Sequence, residues 1–187
     1  MTTVYLTGNK LGDEGWGAIF AAICGNKDSK IMAMDASSED IGPAGVKLIA
    51  EALHTSVTGS LTSLDVRSNK IAGDGAVQLS AAVLGNLKIE MFNEIPIKEM
   101  RANSITELDL KEKRLGVEGG MVVAGLLPVM GSLTALNLSS NGIGGHWVNC
   151  EILSTPEGPK AIADALRVNG SLTKMRYVTP KLERIWV

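Results

Sequence analysis

The chain has 187 residues and a formal net charge of −2, and 45% of its residues are hydrophobic although only 4% are aromatic. A core of leucine, isoleucine, valine and alanine favours small, regular layers. The low net charge lacks the positive field expected of a nucleic-acid binder, so nucleic acid is not predicted as a partner.

The cysteines and the apolar runs predict the environment of the protein. Cys24 and Cys150 are the only cysteines and lie far apart in the sequence, so no disulfide framework is predicted. The N-terminus shows no signal segment. No apolar run approaches the roughly 20 residues that span a bilayer. We therefore expect a cytoplasmic, reducing location and no membrane insertion.

Three units of one pattern begin 30 residues apart, at Met1, Ile31 and Leu61. The clearest is LTSLDVRSNKIAGDGAVQLSAAVLG, from Leu61 to Gly85. Its Leu64 and Val66 are two residues apart and share one face of a strand, and the apolar residues that follow have the spacing of one helix face. A strand-and-helix repeat of this length indicates a solenoid, in which each unit buries its apolar side against its neighbours.

The regular spacing changes after Gly85. The next clear unit starts at Ile105, so we predict a short additional unit near residue 84. Leu87 and Ile89 supply its strand, and it lacks a long helix because Pro96 interrupts helical hydrogen bonding. A later unit starts at Leu133 and carries an insertion at 144–157, and a partial unit follows at 172–187.

This organisation predicts a single domain, 1–187, with seven parallel strands counting that of the short unit. No helix is predicted for the short unit, and the other helices are expected near residues 13–25, 43–54, 74–85, 117–129 and 157–168. The buried side of these helices should make four residues nearly inaccessible to solvent: Ile49, Leu79, Val123 and Ile162. Trp16 occupies a core position of the first helix, so we expect it to pack in the core.

Each unit repeats the same residue types at its turn and at the start of its helix. The turn asparagines can bond backbone groups that the turn leaves unpaired; they are Asn9, Asn69 and Asn141. A glycine starts each full helix, where a side chain would hold the helix off the sheet; these are Gly15, Gly45, Gly75, Gly119 and Gly158. Acids precede four of them and favour the positive end of the helix dipole; they are Glu14, Asp74, Glu118 and Glu157.

The segments LTSLDVRSNKIAGDGAVQLSAAV and LTALNLSSNGIG resemble the ribonuclease-inhibitor type of leucine-rich repeat. The resemblance implies a right-handed α/β solenoid, a horseshoe arc with a parallel sheet on its concave side and helices on its convex side. It also implies a recognition protein, since such repeats occur in nuclease inhibitors, GTPase-activating proteins and innate-immune sensors. Ribonuclease inhibitors are rich in cysteine, so the two cysteines argue against that identity, and no residue marks GTPase activation.

Strand residues beside the buried positions should point outward in two rows. The first row contains Tyr5, Asp35, Asp65, Lys88, Asp109, Asn137 and Arg176. The second row contains Thr7, Ser37, Arg67, Glu90, Lys111 and Ser139. We interpret these rows as a polar surface for a protein partner; the alternative is a solvated sheet face, because outward strand positions are polar in any case. No metal is predicted, since two neighbouring carboxylates fall short of the ligands that calcium requires.

The insertion contains residues that could suggest chemistry. His146, Cys150 and Glu151 match no zinc-binding spacing, and proximity in a loop does not supply a positioned base for a thiol nucleophile. We therefore predict no catalysis and no cofactor. Trp147 either contacts a partner, as exposed apolar residues often do, or packs back on the solenoid.

The sequence as a whole predicts a non-enzymatic protein-interaction module. The alternative is a structural subunit that is packed permanently in a larger assembly through open solenoid ends. Neither end resembles a capping unit, and an open strand edge can pair with another chain. We therefore expect either that the chain is a segment of a longer protein or that its ends are covered by neighbours or by self-association.

Overall fold

The computed structural model of the chain describes residues 2–6, 8–56, 59–148 and 151–176, with side chains at 3–6, 8–56, 59–145 and 154–176. The strands are β1 (Thr2–Tyr5), β2 (Ile31–Asp35), β3 (Ser63–Asp65), β4 (Met91–Phe92), β5 (Glu107–Asp109), β6 (Ala135–Asn137), β7 (Gly145–Val148), β8 (Glu151–Ser154) and β9 (Lys174–Arg176). The helices are α1 (Gly12–Gly25), α2 (Pro43–Thr55), α3 (Gly73–Gly85), α4 (Ile97–Arg101), α5 (Gly116–Leu126) and α6 (Glu157–Val168). A short 3-10 helix, Leu127–Val129, extends α5. None of the helices described is long and apolar enough to cross a membrane.

The repeat strands pair in parallel, as the unit pattern predicts. They form two sheets, one in the order β1-β2-β3-β4 and one in the order β5-β6-β9. The seven expected strands are therefore present, but the expected continuous sheet is divided between β4 and β5. On the other side of the molecule, α1 packs on α2, α2 on α3, α3 on α5, and α5 on α6.

The core lies between the sheets and the stacked helices. Ile49 and Ile162 are 1% and 4% exposed, and Leu79 and Val123 are fully buried, which confirms their predicted positions. Trp16 is also fully buried, with its ring centroid 6.2 Å from that of Phe20. Burying one large apolar side chain contributes about 1.5–3 kcal/mol to stability. The apolar residues on the inner side of each helix therefore supply most of the free energy that holds the helix to the sheet.

The turn asparagines bond backbone groups at the turns, as predicted, and Asn69 and Asn141 also connect neighbouring units. The amide of Asn69 donates to the carbonyls of Ala36 and Val66, both at 2.8 Å. Its side-chain oxygen accepts from the backbone N–H groups of Glu39 and Ile41, both at 3.0 Å. One side chain therefore pairs four backbone groups, three of which belong to the preceding unit.

The strand of the short unit differs from its prediction. It is β4, at Met91 and Phe92, and not the Leu87 and Ile89 segment. Residues 86–89 form a turn instead, in which the Asn86 side chain accepts from the Lys88 N–H at 3.0 Å and the Asn86 carbonyl accepts from the Ile89 N–H at 3.2 Å.

Because of this turn, residues of the short unit take other positions than the sequence predicts. Leu87 is 81% exposed, whereas Ile89 is buried at the place of the first repeat leucine. A short helix, α4, begins directly after Pro96, so the expectation of no helix here is wrong, although the absence of a long helix is confirmed.

The insertion folds as an antiparallel hairpin and not as a loop without strands. β7 pairs with β8, with Trp147 opposite Ile152, and Thr155 N–H donates to the Gly144 carbonyl at 3.0 Å at the hairpin base. This antiparallel pair lies outside the two repeat sheets. The Trp147 side chain and Cys150 lie outside the described residues.

Candidate partner-binding face

Residues of the first predicted row occupy adjacent positions on the outward face of each sheet. Tyr5 pairs in register with Asp35, and Asp35 with Asp65, across β1, β2 and β3. In the second sheet, Asp109 pairs with Asn137, and Asn137 with Arg176. We call the outward side of the two sheets the concave face.

Lys88 does not belong to this row. It lies in the turn after α3, where its ammonium donates to the Gly59 carbonyl at 3.0 Å. The position next to Asp65 is taken by Asn93, the residue that follows β4. The row prediction was wrong here because the predicted strand was placed too early in the chain.

Asn93 ends the first sheet. Its backbone N–H still donates to the Leu64 carbonyl at 3.0 Å, but the N–H of Val66 bonds to the Asn93 side-chain oxygen at 2.9 Å. Positive φ angles of 50° at Asn93 and 63° at Glu94 then turn the chain away, and asparagine tolerates this region better than most residues. Because the chain turns here, β4 does not continue alongside β5.

The carboxyl group of Glu118 is buried beside this turn. Glu118 lies in the first turn of α5, is 3% exposed, and accepts a hydrogen bond from the Asn93 amide at 3.3 Å. Burial raises its pKa to about 8, and the negative charge of Asp65 acts in the same direction. Glu118 is therefore mostly protonated at neutral pH. The sequence suggested an ionised group favoured by the helix dipole, which is wrong for this residue.

Four side chains cross the break between the sheets, and we call them the bridging cluster: Asp65, Arg67, Glu94 and Lys113. Arg67 forms hydrogen bonds with the Asp65 carboxylate and donates to Glu94 and, at 3.2 Å, to the Lys113 carbonyl. The Lys113 ammonium bonds to Glu94 at 2.6 Å. The hydrogen bond with Asp65 is the main cause that raises the pKa of Arg67. Arg67 therefore joins β3 to the turn that follows β5.

An open cleft of about 320 Å³ lies over this cluster. It is formed by the turns that follow β2, β3, β4 and β5. The lining residues are Ser37, Ser38, Arg67, Ser68, Glu94, Glu112, Lys113 and Arg114. Hydroxyl groups and charges of both signs therefore surround it, which suits polar contacts with a protein surface.

The second predicted row is wrong at Glu90. Glu90 precedes β4, where its N–H donates to the Thr62 carbonyl at 2.7 Å, so it does not lie beside Arg67. Glu90 forms an ion pair with Lys98 at 2.9 Å, and Lys111 forms one with Glu112 at 3.1 Å. Both pairs are exposed, and such pairs contribute little to stability. Thr7 lies outside the described residues.

The bridging cluster makes a testable contribution to stability. We expect Arg67→Gln to lower the free energy of unfolding by about 1–2 kcal/mol, because it removes charged hydrogen bonds on a side chain that is only 21% exposed. Glu94→Gln should cost less, about 0.5–1 kcal/mol, because Glu94 is more exposed. Urea denaturation of both variants and of the double variant should give a coupling energy of about 0.5–1 kcal/mol.

The pH dependence of this contribution has a defined sign. The pKa of Glu94 is lowered from 4.5, chiefly by the hydrogen bond with Lys113. Its contribution is therefore present above about pH 4.5 and is lost as the pH falls through the lower folded pKa. If the losses in free energy of unfolding for Arg67→Gln and Glu94→Gln were strictly additive at neutral pH, the shared cluster would be contradicted.

Comparisons with known proteins address the architecture. A family model described as Leucine Rich repeat matches residues 1–20, 60–80 and 132–145. No curated protein matches the chain. Solved structures match, among them Leiomodin-1 Actin-Binding Site 2 (ABS2), which is 19% identical, with 90% of this chain and 80% of that chain covered and a TM-score of 0.47.

The family matches coincide with the geometry of the repeats. The three matched segments contain β1, β3 and β6, and each includes a turn asparagine, namely Asn9, Asn69 or Asn141. Parallel strands, alternating helices and asparagine turns are thus found where the repeat model matches. The chain is therefore an α/β solenoid built from leucine-rich repeats.

Proposed function

We propose that this protein is a non-enzymatic interaction module that binds a partner protein through its concave face and the adjacent cleft. The observation that carries the proposal is the exposure of large apolar side chains on an otherwise polar sheet face. Tyr5 on β1 is 73% exposed and Met91 on β4 is 43% exposed. Exposed aromatic residues and methionine are enriched in protein interfaces.

Two further observations support this face as the binding surface. The cleft holds Arg67 in a fixed position through Asp65 and Glu94, and arginine is frequent among the residues that dominate binding energy. The polar residues Asp35, Asp109 and Asn137 lie on the same outward face. A face that combines exposed apolar groups with polar residues is typical of a non-obligate interface.

We also propose that the repeats are of the ribonuclease-inhibitor type, which is supported by helices of 13 residues in α2 and α3.

Site-specific photo-crosslinking tests the proposal. A benzophenone amino acid is placed at Met91 on the concave face or, as a matched control, at Val77, which is 41% exposed on α3. We expect position 91 to give a discrete crosslinked protein in native extract and position 77 to give none. Crosslinks from position 77 alone would contradict the proposed face.

The same experiment distinguishes an interaction module from a permanent structural subunit. An interaction module exchanges its partner, so unlabelled protein added in excess before irradiation should remove the crosslink. A subunit packed permanently in an assembly should keep the crosslink under this challenge. Tyr5→Ala should weaken the crosslink of the module, because it removes an exposed aromatic contact.

A further inference from the structure

The break between the two sheets leaves one edge of β5 unpaired. In a parallel sheet each strand bonds to a given neighbour through alternate residues. Toward β6, Thr106 O accepts from Ala135 N at 3.3 Å and Leu110 N donates to Asn137 O at 2.9 Å, while Leu108 pairs with Leu136. The backbone groups of Glu107 and Asp109 therefore face the opposite edge. Within the described residues β5 pairs with β6 only, and no other backbone hydrogen bond reaches these groups.

β4 cannot fill this edge, because its own far side is already satisfied. Phe92 N–H donates to the Ile95 carbonyl at 3.2 Å, and Ile95 N–H donates back to Phe92 at 2.7 Å. Lys98 N–H donates to the Glu90 carbonyl at 3.0 Å. The turn after β4 thus closes one side of the break and leaves the other side open.

The side chains around the open edge define what it can accept. Glu107 and Asp109 are exposed on the concave face, and neither forms an ion pair within the described residues. Two carboxylates without an ion pair on this face favour lysine or arginine at alternate positions of the incoming chain.

We propose that the open edge of β5 receives a short extended segment of a partner protein, which carries lysine or arginine residues and adds as a strand. This inference rests on the proposed function, because it names the kind of segment that the concave face binds. The segment bonds to the backbone of Glu107 and Asp109, and its cations pair with their carboxylates. An edge of this length offers few hydrogen bonds, so we expect a dissociation constant on the order of hundreds of micromolar for an isolated peptide.

Hydrogen exchange on the whole chain tests the open edge first. In the free protein, the amides of Glu107 and Asp109 should exchange at least about tenfold faster than the amide of Leu108, which is bonded within the sheet. Equal protection of all three amides would show that the edge is already paired and would overturn the proposal.

A defined peptide tests the occupant. The probe is a short acetylated and amidated peptide of alternating lysine and valine, and its control carries N-methyl groups at the pairing positions with the same charge. At saturation, the first peptide should slow exchange at Glu107 and Asp109 about tenfold, and the methylated peptide should not. Equal binding of both peptides, or protection elsewhere only, would overturn strand addition.

Matched variants test the charge requirement. Glu107→Lys should weaken binding of the lysine peptide about fivefold or more, whereas Glu51→Lys, at an exposed position of α2, should change it less than about twofold. Equal losses would contradict the assignment of Glu107. A crosslink from position 91 together with failure of the peptide would remove strand addition and leave the proposed function intact.

Discussion

Replacing Arg101 with alanine is expected to lower the free energy of unfolding by about 3 kcal/mol. Arg101 ends α4, and its guanidinium donates to the carbonyls of Ile89 at 2.8 Å and Leu84 at 3.0 Å. It also donates to Val83 and Asn86, both at 3.2 Å. These carbonyls belong to the last turn of α3 and to the turn that follows it. One cation therefore satisfies the helix end and fixes the short unit to the preceding one.

The environment of Arg101 explains the size of this effect. Its guanidinium is partly buried, and burial lowers its pKa. Four carbonyl groups would have to find water or remain unpaired after truncation, and an unpaired buried acceptor costs about 1–3 kcal/mol. The positive charge also interacts favourably with the negative end of the α3 dipole.

Urea denaturation of two further variants provides the comparison. Arg101→Lys should recover only part of the loss, because an ammonium cannot reach four carbonyls in the geometry of a guanidinium. Arg167→Ala removes an exposed arginine from the last turn of α6, where its ion pair with Asp164 is solvated. That variant should cost less than about 0.5 kcal/mol. A similar small loss for Arg101→Ala would contradict its role.

Replacing Glu118 with glutamine is expected to stabilise the protein at pH 8 by about 4 kcal/mol and to have little effect at pH 5. The pKa of Glu118 is raised from 4.5 to about 8 by burial. Between these two values the folded state holds a proton that the unfolded state releases. The stability of the natural protein therefore falls as the pH rises through this range, and the fall ends near pH 8, where the folded state also ionises.

Glutamine removes this dependence because it stays neutral and can still accept from the Asn93 amide. Thermal or urea denaturation between pH 5 and 9 should show a flatter stability profile for Glu118→Gln. Glu14→Gln is the matched control, since Glu14 holds the same repeat position in α1 but is exposed. It should leave the slope unchanged. Parallel profiles for the natural protein and Glu118→Gln would contradict the protonated carboxyl group.

Both substitutions concern the connection between the first and second sheets. Arg101 fixes α4 against the end of α3, and Glu118 lies under the turn at Asn93. The bridging cluster crosses the same break on the concave face. The open edge of β5 therefore lies next to a junction that several polar contacts hold in place.

The sequence alone predicted the regular part of the fold, because there the physical causes are local. Leu64 and Val66 share a strand face through their spacing, and Leu79 is buried through helical periodicity. Asn69 follows Leu64 and Val66 at a fixed spacing in the sequence, so its role in the turn follows from the repeat. The outward positions of Asp35 and Asp65 follow from strand alternation. Their role in partner binding stays a prediction.

Tertiary structure decided the features that depend on contacts distant in the sequence. The alternation of Leu87 and Ile89 resembles a strand, but the Asn86 turn and the end of α3 move the strand to Met91. Glu118 has the same local sequence role as Glu14, but burial raises its pKa and keeps it neutral, although the hydrogen bond from Asn93 acts in the opposite direction.

The sheet break has the same kind of origin. Nothing local to Asn93 indicates that its side chain will replace a backbone carbonyl for Val66 and so end the first sheet. Strand and helix positions in this protein follow from the period of its apolar residues. The break, the buried carboxyl group and the open edge of β5 follow from which polar groups meet after the units have stacked, and the spacing of residues along the chain does not carry that information.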